Sequence, residues 1–480
     1  MLFMYTTKQA AQYLGVSTAR IRQLIGEGRL EAQSKGKSWF IAENSLDEYR
    51  EQATPGRPST KQAKWKKKFT PKKYTLMSGK HEVAHITYDP YELRFTQIHV
   101  LDWQRVPLAI RSYKVQGAYV KAFNEWWQAR GIPGSREGLP KRLYELELSS
   151  AAQLPLRSYG LSLSDQYWLL SDDSSVQWED VNFFKNSYDM GFDEEDKKFY
   201  SAAGPWMNAV GLSSPDNTTD GMLNKRWLMD EEGNRVLIKG NGTSGREVYN
   251  EVIATMLYKR LLSADRYVEY KLCDWRGNDV SACKTFLREN EEFIPAWYVF
   301  HLKKKPNNHS EFRHYCEICE DLGISYIENQ LTRMLVCDII LANTDRHWGN
   351  FGVIRNVDTL EYRWAPIFDT GTSLWVHART KEIISGNYYY QSKPFYKDPN
   401  RQLDLLIDAS WYNPLALDGF AHDAKAYLAK VLVNEELAAA ISRGISHQIE
   451  IVNTWARKAP SNSLPKSWLE NPEKLTTLWL

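Results

Sequence analysis

The chain has 480 residues, of which 43% are hydrophobic and 25% are charged. This is an ordinary composition for a soluble globular protein, and the length predicts two or three domains. No apolar run approaches the ~18 residues of a membrane span, and the first residues lack the basic start and apolar core of a signal peptide. The five cysteines are few and odd in number, which favours a reducing cytoplasm over a disulfide framework. We therefore expect a cytoplasmic protein without a membrane partner.

Charge is distributed unevenly along the chain. Residues 1–73 contain 15 Lys and Arg against 6 Asp and Glu, a net charge of +9; since the whole chain carries +2, the remainder carries −7. A basic head on an acidic body is typical of a nucleic-acid-binding domain joined to a separate functional domain; a basic tail that only aids solubility is the alternative.

The basic head begins with a pattern that predicts a winged helix-turn-helix over residues 5–52. A first helix is expected over 8–14, and Ser17 can cap a second helix that runs through Ile25. A turn at 35–37 then joins two short strands. The stretch YTTKQAAQYLGVS resembles the start of excisionase and MerR-type winged helices. The resemblance implies a DNA-binding domain, with a protein-interaction module as the alternative.

The second helix has one apolar face, and the side chains on and near the other face are of types that suit a DNA major groove. The candidate DNA contacts in this helix and the following turn are Thr18, Arg20, Arg22, Gln23, Lys35 and Lys37.

Residues 53–73 are predicted to form a basic linker. The stretch 54–73 contains eight Lys or Arg and no acidic residue. Within it, PGRP resembles the core of an AT-hook, in which an arginine, here Arg57, enters a narrow minor groove. A disordered basic linker is the alternative. Both interpretations predict salt-dependent affinity for nucleic acid.

Residues 74–209 are rich in aromatic side chains and poor in recognisable chemistry. Strands are expected over 81–87 and 93–100. The density of large aromatic residues predicts a core or a domain interface rather than a surface that stacks on bases. We assign no functional residue to this accessory region.

A hairpin and a helix are predicted next. Strands over 225–229 and 235–239 flank a turn at 230–234, and a helix is expected over 246–262. Between them lies GNGTSG, which satisfies the G-x-G-x-x-G pattern of dinucleotide-binding turns. Since no repeated βαβ unit follows, we favour a plain connection in an antiparallel sheet. The dinucleotide-binding fold stays as the alternative.

The most informative stretch lies at 335–374. An apolar helix leads into NTDRHWGN at 343–350, and Asp369 follows a predicted hairpin. Phosphoryl transfer uses such a set of groups. Asp345 would orient and deprotonate a hydroxyl acceptor, while Asn350 and Asp369 would bind metal ions at the nucleotide phosphates.

At these residues the sequence resembles the HipA family of bacterial serine/threonine kinases, whose loop also runs N-x-D-R-H-x-x-N. The resemblance implies ATP and Mg²⁺ as cofactors and Lys239 as the lysine that pairs with the phosphates. Glu247 and Glu251 share one helix face, so their spacing leaves open which of them holds Lys239; the Asn-Glu pair of the family favours Glu251. The implied catalytic set also includes His347, and the implied nucleotide-binding set includes Gly221 and Lys225.

We therefore expect an α+β protein with a two-lobed HipA/protein-kinase-like fold, preceded by a small winged helix-turn-helix domain. The small lobe is predicted at 210–300 and a mostly helical large lobe at 301–480. The implied function is a protein kinase of the toxin type that regulates itself by autophosphorylation or operator binding, with DNA, an antitoxin and a second copy of the chain as partners. The alternatives are a nucleotide-sensing transcriptional regulator with an inactive kinase fold, and a kinase of a small-molecule or lipid hydroxyl.

Overall fold

The computed structural model describes most of the chain. The described residues are 4–14, 16–35, 38–42, 45–47, 49, 70–113, 115–130, 154–157, 159–186, 225–242, 244–406 and 408–458. The chain divides into two compact units, Met1–Thr70 and Pro71–Leu480, and each forms its own core.

The N-terminal unit contains two helices and a three-stranded antiparallel sheet. Its elements are β1 (Met4–Thr6), α1 (Thr7–Leu14), α2 (Thr18–Gly26), β2 (Ala32–Lys35) and β3 (Ser38–Ala42). The strand order is β1-β3-β2, and β1 is too short for its sequence pattern to predict it. Ser17 caps α2, because its hydroxyl accepts a hydrogen bond of 3.2 Å from the backbone N–H of Arg20. Ile21 and Leu24 turn one face of α2 into the core.

The second unit begins with a four-stranded antiparallel sheet. Its elements are β4 (Lys72–Ser78), β5 (His81–Asp89), β6 (Arg94–Val100), α3 (Leu108–Arg111), α4 (Gln116–Ala129), α5 (Leu154–Arg157), β7 (Tyr167–Ser171) and α6 (Trp178–Val181). The strand order is β6-β5-β4-β7. Of these four strands, the sequence pattern predicts β5 and β6. The aromatic residues build a core: the ring of Phe95 lies edge-on to Phe123 and Trp127 of α4, with centroids 5.0 and 5.1 Å apart.

A second four-stranded sheet follows. Its elements are β8 (Lys225–Met229), β9 (Arg235–Lys239), α7 (Glu247–Leu261), β10 (Lys271–Trp275) and β11 (Asn278–Lys284). All neighbouring strands are antiparallel, in the order β10-β11-β9-β8. A dinucleotide-binding fold is built on a parallel sheet, so that alternative is wrong. The glycines at 240–245 connect β9 to α7.

The remaining body is mostly helical. Its elements are β12 (Glu291–Pro295), α8 (Ala296–Phe300), α9 (Glu311–Asp321), α10 (Ile327–Ile340), β13 (Gly352–Asn356), β14 (Tyr362–Trp364), α11 (Thr380–Ile384), α12 (Pro399–Leu403), α13 (Phe420–Leu432) and α14 (Glu435–Lys458). The strands form a small antiparallel sheet in the order β12-β13-β14. Helix α10 is largely buried and ends directly before the polar loop at 343–350. Among the described helices, none has both the length and the apolar character needed to cross a bilayer.

A buried hydrogen bond joins the first sheet of this unit to an ion pair of the helical body. Nε of Arg355 in β13 donates to Glu292 of β12 at 2.7 Å, and Nη2 of Arg355 donates to the hydroxyl of Tyr167 in β7 at 2.6 Å. All three side chains are buried. The ion pair itself lies between β12 and β13 of the body, and the hydrogen bond from Arg355 to Tyr167 ties the first sheet to it.

Candidate active site

The ammonium group of Lys239, at the end of β9, lies at the centre of the candidate site. It donates to Oε1 of Glu251 in α7 at 2.8 Å and to Oδ1 of Asp369 at 2.6 Å. The hydroxyl of Tyr270 accepts a third hydrogen bond at 3.1 Å. The structure therefore brings together three predicted site residues: the phosphate-pairing lysine Lys239, the anchoring glutamate Glu251 and the metal ligand Asp369.

The structure separates the two glutamates that share a face of α7. Oε2 of Glu247 accepts hydrogen bonds from the backbone N–H groups of Gly242 at 3.2 Å and Arg246 at 3.0 Å. These are donors at the N-terminus of α7, where a carboxylate is favoured. Glu251 lies one turn further along and is the glutamate that pairs with Lys239.

Opposite charges set the protonation of this cluster. Burial alone would lower the pKa of the Lys239 ammonium, but the carboxylates of Asp369 and Glu251 outweigh burial and hold this pKa well above its ordinary value of 10.5. Burial alone would raise the pKa of Asp369, but the ammonium groups of Lys239 and Lys225 hold it below its ordinary value of 3.8. The lysine and the aspartate are therefore both charged at neutral pH.

Lys225 brings a second cation to the cleft. It is the first residue of β8, and its Nζ lies 3.9 Å from Oδ2 of Asp369. Gly221, which the HipA resemblance places in the same nucleotide-binding set, lies outside the described residues.

The loop at 343–350 presents Asp345 and Asn350. The side-chain amide of Asn350 donates to the backbone carbonyl of Asp345 at 2.9 Å, which leaves the amide oxygen of Asn350 as an acceptor. The backbone N–H of Asp345 donates to Oδ1 of Asn343 at 3.0 Å. The side chain of Asp345 is 39% exposed, so an acceptor hydroxyl can reach its carboxylate.

His347 shapes this loop. Its Nδ1 accepts a hydrogen bond from the backbone N–H of Gly349 at 3.0 Å. The ring lies so close to Gly349 that a Cβ added there would come within 2.9 Å of it. The structure therefore gives His347 a position that orders the backbone between Asp345 and Asn350, beside the carboxylate and not bonded to it.

Arg346 clamps the loop to the segment that carries Asp369. Its Nε and Nη2 donate to the two carboxylate oxygens of Asp338 at 2.8 and 2.9 Å, a bidentate pair. Its Nη1 donates to the backbone carbonyls of Asn350 and Phe368 at 2.7 and 2.6 Å. Because Phe368 directly precedes Asp369, one fully buried guanidinium group fixes both halves of the predicted metal site.

Asp369 has a strained backbone. Its φ is 56°, in the left-handed region that residues other than glycine rarely adopt. Its neighbours hold this conformation: the ring of Phe368 stacks on Phe286 with centroids 5.3 Å apart, and the backbone N–H of Thr370 donates to Oε2 of Glu251 at 3.0 Å. Strain that the surroundings enforce in this way is typical of functional sites.

The residues after Asp369 are fastened from two sides. The buried side-chain amide of Asn250 in α7 donates to the carbonyls of Gly371 at 2.9 Å and Ser373 at 2.8 Å. From the other side, the backbone N–H and hydroxyl of Thr344 both donate to the carbonyl of Thr372, at 3.1 and 3.2 Å. Helix α7 and the loop at 343–350 are therefore both tied to the segment that follows Asp369.

The oxygen atoms in the cleft fit Mg²⁺. The carboxylate of Asp369 and the amide oxygen of Asn350 are hard donors of the kind that Mg²⁺ prefers. Within the described part of the chain, no three His, Cys, Asp or Glu side chains come together as a metal-binding group. Mg²⁺ in kinase sites needs only one or two protein ligands, because phosphate oxygens and water complete its shell.

One residue of the site carries no signal in the sequence. Lys393, in the irregular segment before α12, donates to Oδ1 of Asp345 at 2.9 Å. It belongs to no motif and to no periodic element, so nothing in the pattern indicates that the chain returns here to the catalytic loop.

In the N-terminal unit, α2 presents the predicted DNA contacts that the structure describes. Thr18, Arg22 and Gln23 are exposed, and Arg20 is half-buried. Both Arg20 and Gln23 contact the carboxylate of Glu27, at 3.8 and 2.7 Å. The structure describes the backbone of Lys35 at the end of β2, while Lys37 and Arg57 lie outside the described residues.

Together these features define a class of protein: an α+β protein with a kinase-type site between two lobes, preceded by a helix-turn-helix domain. The predicted fold class is confirmed. The antiparallel sheet with its lysine, the helix with its glutamate, and the loop with Asp345 and Asn350 correspond in kind to the parts that kinases use.

Comparison with known proteins gives the following matches. Residues 4–54 match a family model described as a helix-turn-helix domain. Over 45 residues the chain is 49% identical to the serine/threonine-protein kinase CtkA of Helicobacter pylori, a match that spans 9% of this chain and 14% of the length of that kinase. The crystal structure of a proinflammatory kinase CtkA from the same organism aligns with a TM-score of 0.37 and 18% identity, covering 48% of this chain and 93% of that chain. The predicted resemblances, to an excisionase-like head and to a serine/threonine kinase, are confirmed.

Proposed function

We propose that this protein is an ATP- and Mg²⁺-dependent serine/threonine protein kinase of the HipA toxin type, joined in one chain to a DNA-binding domain. The observation that carries the proposal is the ammonium group of Lys239, which bridges Glu251 and Asp369. A strand lysine held by a helix glutamate pairs with nucleotide phosphates in kinases. The loop with Asp345, tied to the same segment through Arg346, supplies the acceptor side.

In the proposed reaction, ATP donates its γ-phosphoryl group to a protein hydroxyl. Asp345 orients the hydroxyl and receives its proton as the oxygen attacks the γ-phosphorus. A bond forms between this oxygen and phosphorus, the bond from phosphorus to the β,γ-bridging oxygen breaks, and ADP leaves. Lys239 holds the phosphates in place, and Asn350 and Asp369 would hold Mg²⁺. When bound, Mg²⁺ neutralises phosphate charge.

The N-terminal unit supports a link to DNA. Helix α2 exposes Arg22 beside other polar side chains, and residues 1–73 carry a net charge of +9. We propose that this unit binds an operator as a homodimer, since winged helices commonly do so. It would thus supply within the chain a contact that an antitoxin partner otherwise provides. Autophosphorylation would adjust this contact, and the activity would belong to the cytoplasm, where the DNA lies.

The test is phosphate transfer from γ-labelled ATP and Mg²⁺ by the full chain in a bacterial lysate. Three variants are compared with the unchanged chain: Asp345→Ala, Asp369→Ala and, as a matched control, Asp404→Ala at an exposed position. We expect label on the chain or on a lysate protein, lost in the two site variants, lost on chelation of the metal and retained in Asp404→Ala. Phosphoamino-acid analysis of the labelled protein then identifies serine or threonine.

Different results identify the alternatives. Label confined to small molecules or lipids would replace the protein acceptor with another hydroxyl. Absence of transfer, combined with ATP binding that changes the affinity of the full chain for DNA, would overturn the enzyme and leave a nucleotide-sensing regulator.

A further inference from the structure

Lys393, which is distant in the sequence, forms an ion pair with the proposed catalytic carboxylate of Asp345. The ammonium group of Lys393 donates to Oδ1 of Asp345 at 2.9 Å, and the two side chains are 47% and 39% exposed. Exposed ion pairs on a surface contribute little to stability, because water screens them and their side chains lose freedom. Stability therefore gives little reason for this pair.

The backbone around Lys393 is nevertheless held by several hydrogen bonds. Gln402 in α12 is fully buried, and its side-chain amide donates to the carbonyl of Lys393 at 2.6 Å. Its Oε1 accepts hydrogen bonds from the backbone N–H groups of Phe395 at 3.1 Å and Tyr396 at 3.2 Å. A buried glutamine thus uses three hydrogen bonds to shape the turn that presents one half-exposed lysine.

The same turn is anchored on the catalytic loop. The ring of Phe395 lies edge-on to Trp348, with centroids 5.4 Å apart, and edge-on to Phe312 of α9 at 5.3 Å. Trp348 lies three residues after Asp345 in the loop. The aromatic contact therefore sets the position of Lys393 relative to Asp345, as a preorganised group requires.

Two other cations of the described site, Arg346 and Lys239, are committed elsewhere. The guanidinium of Arg346 is fully buried and bonded to Asp338 and to backbone carbonyls. The ammonium of Lys239 is held on the nucleotide side by Glu251 and Asp369. The ammonium of Lys393 is bonded to Asp345, the proposed base.

We propose that Lys393 is a catalytic residue that donates a hydrogen bond to the phosphoryl group while it passes to the acceptor. This rests on the proposed kinase function. Two groups bonded to one carboxylate lie within roughly 7 Å of each other, so an acceptor oxygen on Asp345 lies near the Lys393 ammonium. Negative charge on the transferring phosphoryl oxygens is what preorganised cations stabilise. Lys393 keeps its proton throughout; the hydroxyl proton passes to Asp345.

The experiment uses the full chain with γ-labelled ATP and Mg²⁺, measuring label transfer and ATP affinity separately. The variants are Lys393→Ala, Lys393→Met and Lys393→Arg. The control is Lys397→Ala, which removes an equal charge from an exposed position in the same turn. We expect the rate at saturating ATP to fall about 10- to 100-fold in the first two variants. ATP affinity should stay within about twofold, since Lys393 faces the acceptor, and Lys393→Arg should recover part of the rate.

Each outcome decides a different point. If the unchanged chain transfers phosphate and Lys393→Ala does so equally well or faster, the ion pair of Lys393 with Asp345 does not assist the reaction. Only this inference then fails. If the Lys397→Ala variant loses as much as Lys393→Ala, a general charge effect replaces the specific contact. If the unchanged chain transfers nothing, the kinase function and this inference fail together. Thermal unfolding of each variant excludes loss of the fold as the cause.

Discussion

Lys239 and Asp369 lie 130 residues apart in the sequence, yet Nζ of one donates to Oδ1 of the other at 2.6 Å. The contact connects the end of β9 to a residue five positions after the last strand of the small sheet in the helical body. A nucleotide bound between them would meet a lysine and a candidate metal ligand already in place, so little ordering would be left for the moment of binding.

Replacing Lys239 should slow phosphate transfer sharply and weaken the fold. In Lys239→Met the carboxylates of Glu251 and Asp369 lose their shared cation, and we expect the rate to fall by about 10²-fold or more. The free energy of unfolding should drop by about 3–5 kcal/mol, since a buried pair loses one partner. Label transfer and urea unfolding measure the two effects. Lys284→Met, which removes an exposed lysine from β11, should leave both nearly unchanged; equal losses in both variants would contradict the assignment.

Arg346 and Asp338 should behave as one energetic unit. Arg346→Met leaves a buried carboxylate unpaired, and we expect a loss of about 3–5 kcal/mol in the free energy of unfolding. The double variant Arg346→Met/Asp338→Leu should recover part of this loss, because neither charge then remains buried. Urea unfolding of the single and double variants completes the cycle. Simple additivity would show that the two residues act independently.

The stability contributed by Asp369 should depend on pH with a definite sign. Its pKa in the folded chain lies below the ordinary value of 3.8, so its charged form stabilises the fold above that pH, and the stabilisation is lost as pH falls further. Since the pKa of Lys239 is raised above 10.5, its charge persists through the neutral range. The difference in unfolding free energy between the unchanged chain and Asp369→Asn should therefore be constant from about pH 5 to 10 and shrink below about pH 4. A difference that grows on acidification would refute this.

Arg22 should contribute to DNA affinity mainly through charge. It is exposed on α2, whereas Arg20 and Gln23 contact Glu27. Arg22→Ala in the full chain should weaken binding to operator DNA about 10-fold and, if it contacts phosphate, reduce the slope of log affinity against log salt by about one. Fluorescence anisotropy at several salt concentrations measures both. Lys8→Ala on α1 removes the same charge from the other helix; a larger effect there would place the DNA surface on α1.

Site residues that lie close together in the sequence can be predicted from their spacing. Asp345, Asn350 and Asp369 lie in one short stretch, and their spacing alone is enough to predict them as site residues. The choice between Glu247 and Glu251 depends on tertiary contacts, because one helix face presents both.

The remaining features are non-local. Strands β4 and β7 pair across intervening helices, and β12 joins a hairpin that the sequence predicts without it. Lys393 reaches its place through a turn shaped by Gln402 and Phe395, which have no periodic signature. Such pairings come from packing, which single-sequence patterns do not encode.

The buried amide of Asn250 has a wider consequence. Together with Glu251, it bonds α7 to the residues that follow Asp369 through three hydrogen bonds. An outward movement of α7 would break these hydrogen bonds. Each buried donor or acceptor left without a partner would cost about 1–3 kcal/mol. The polypeptide alone therefore favours the engaged arrangement, without a phosphate or an activating partner to assemble it. Under the proposed function, control of the kinase would then act on what reaches the cleft or on how much of the chain is made.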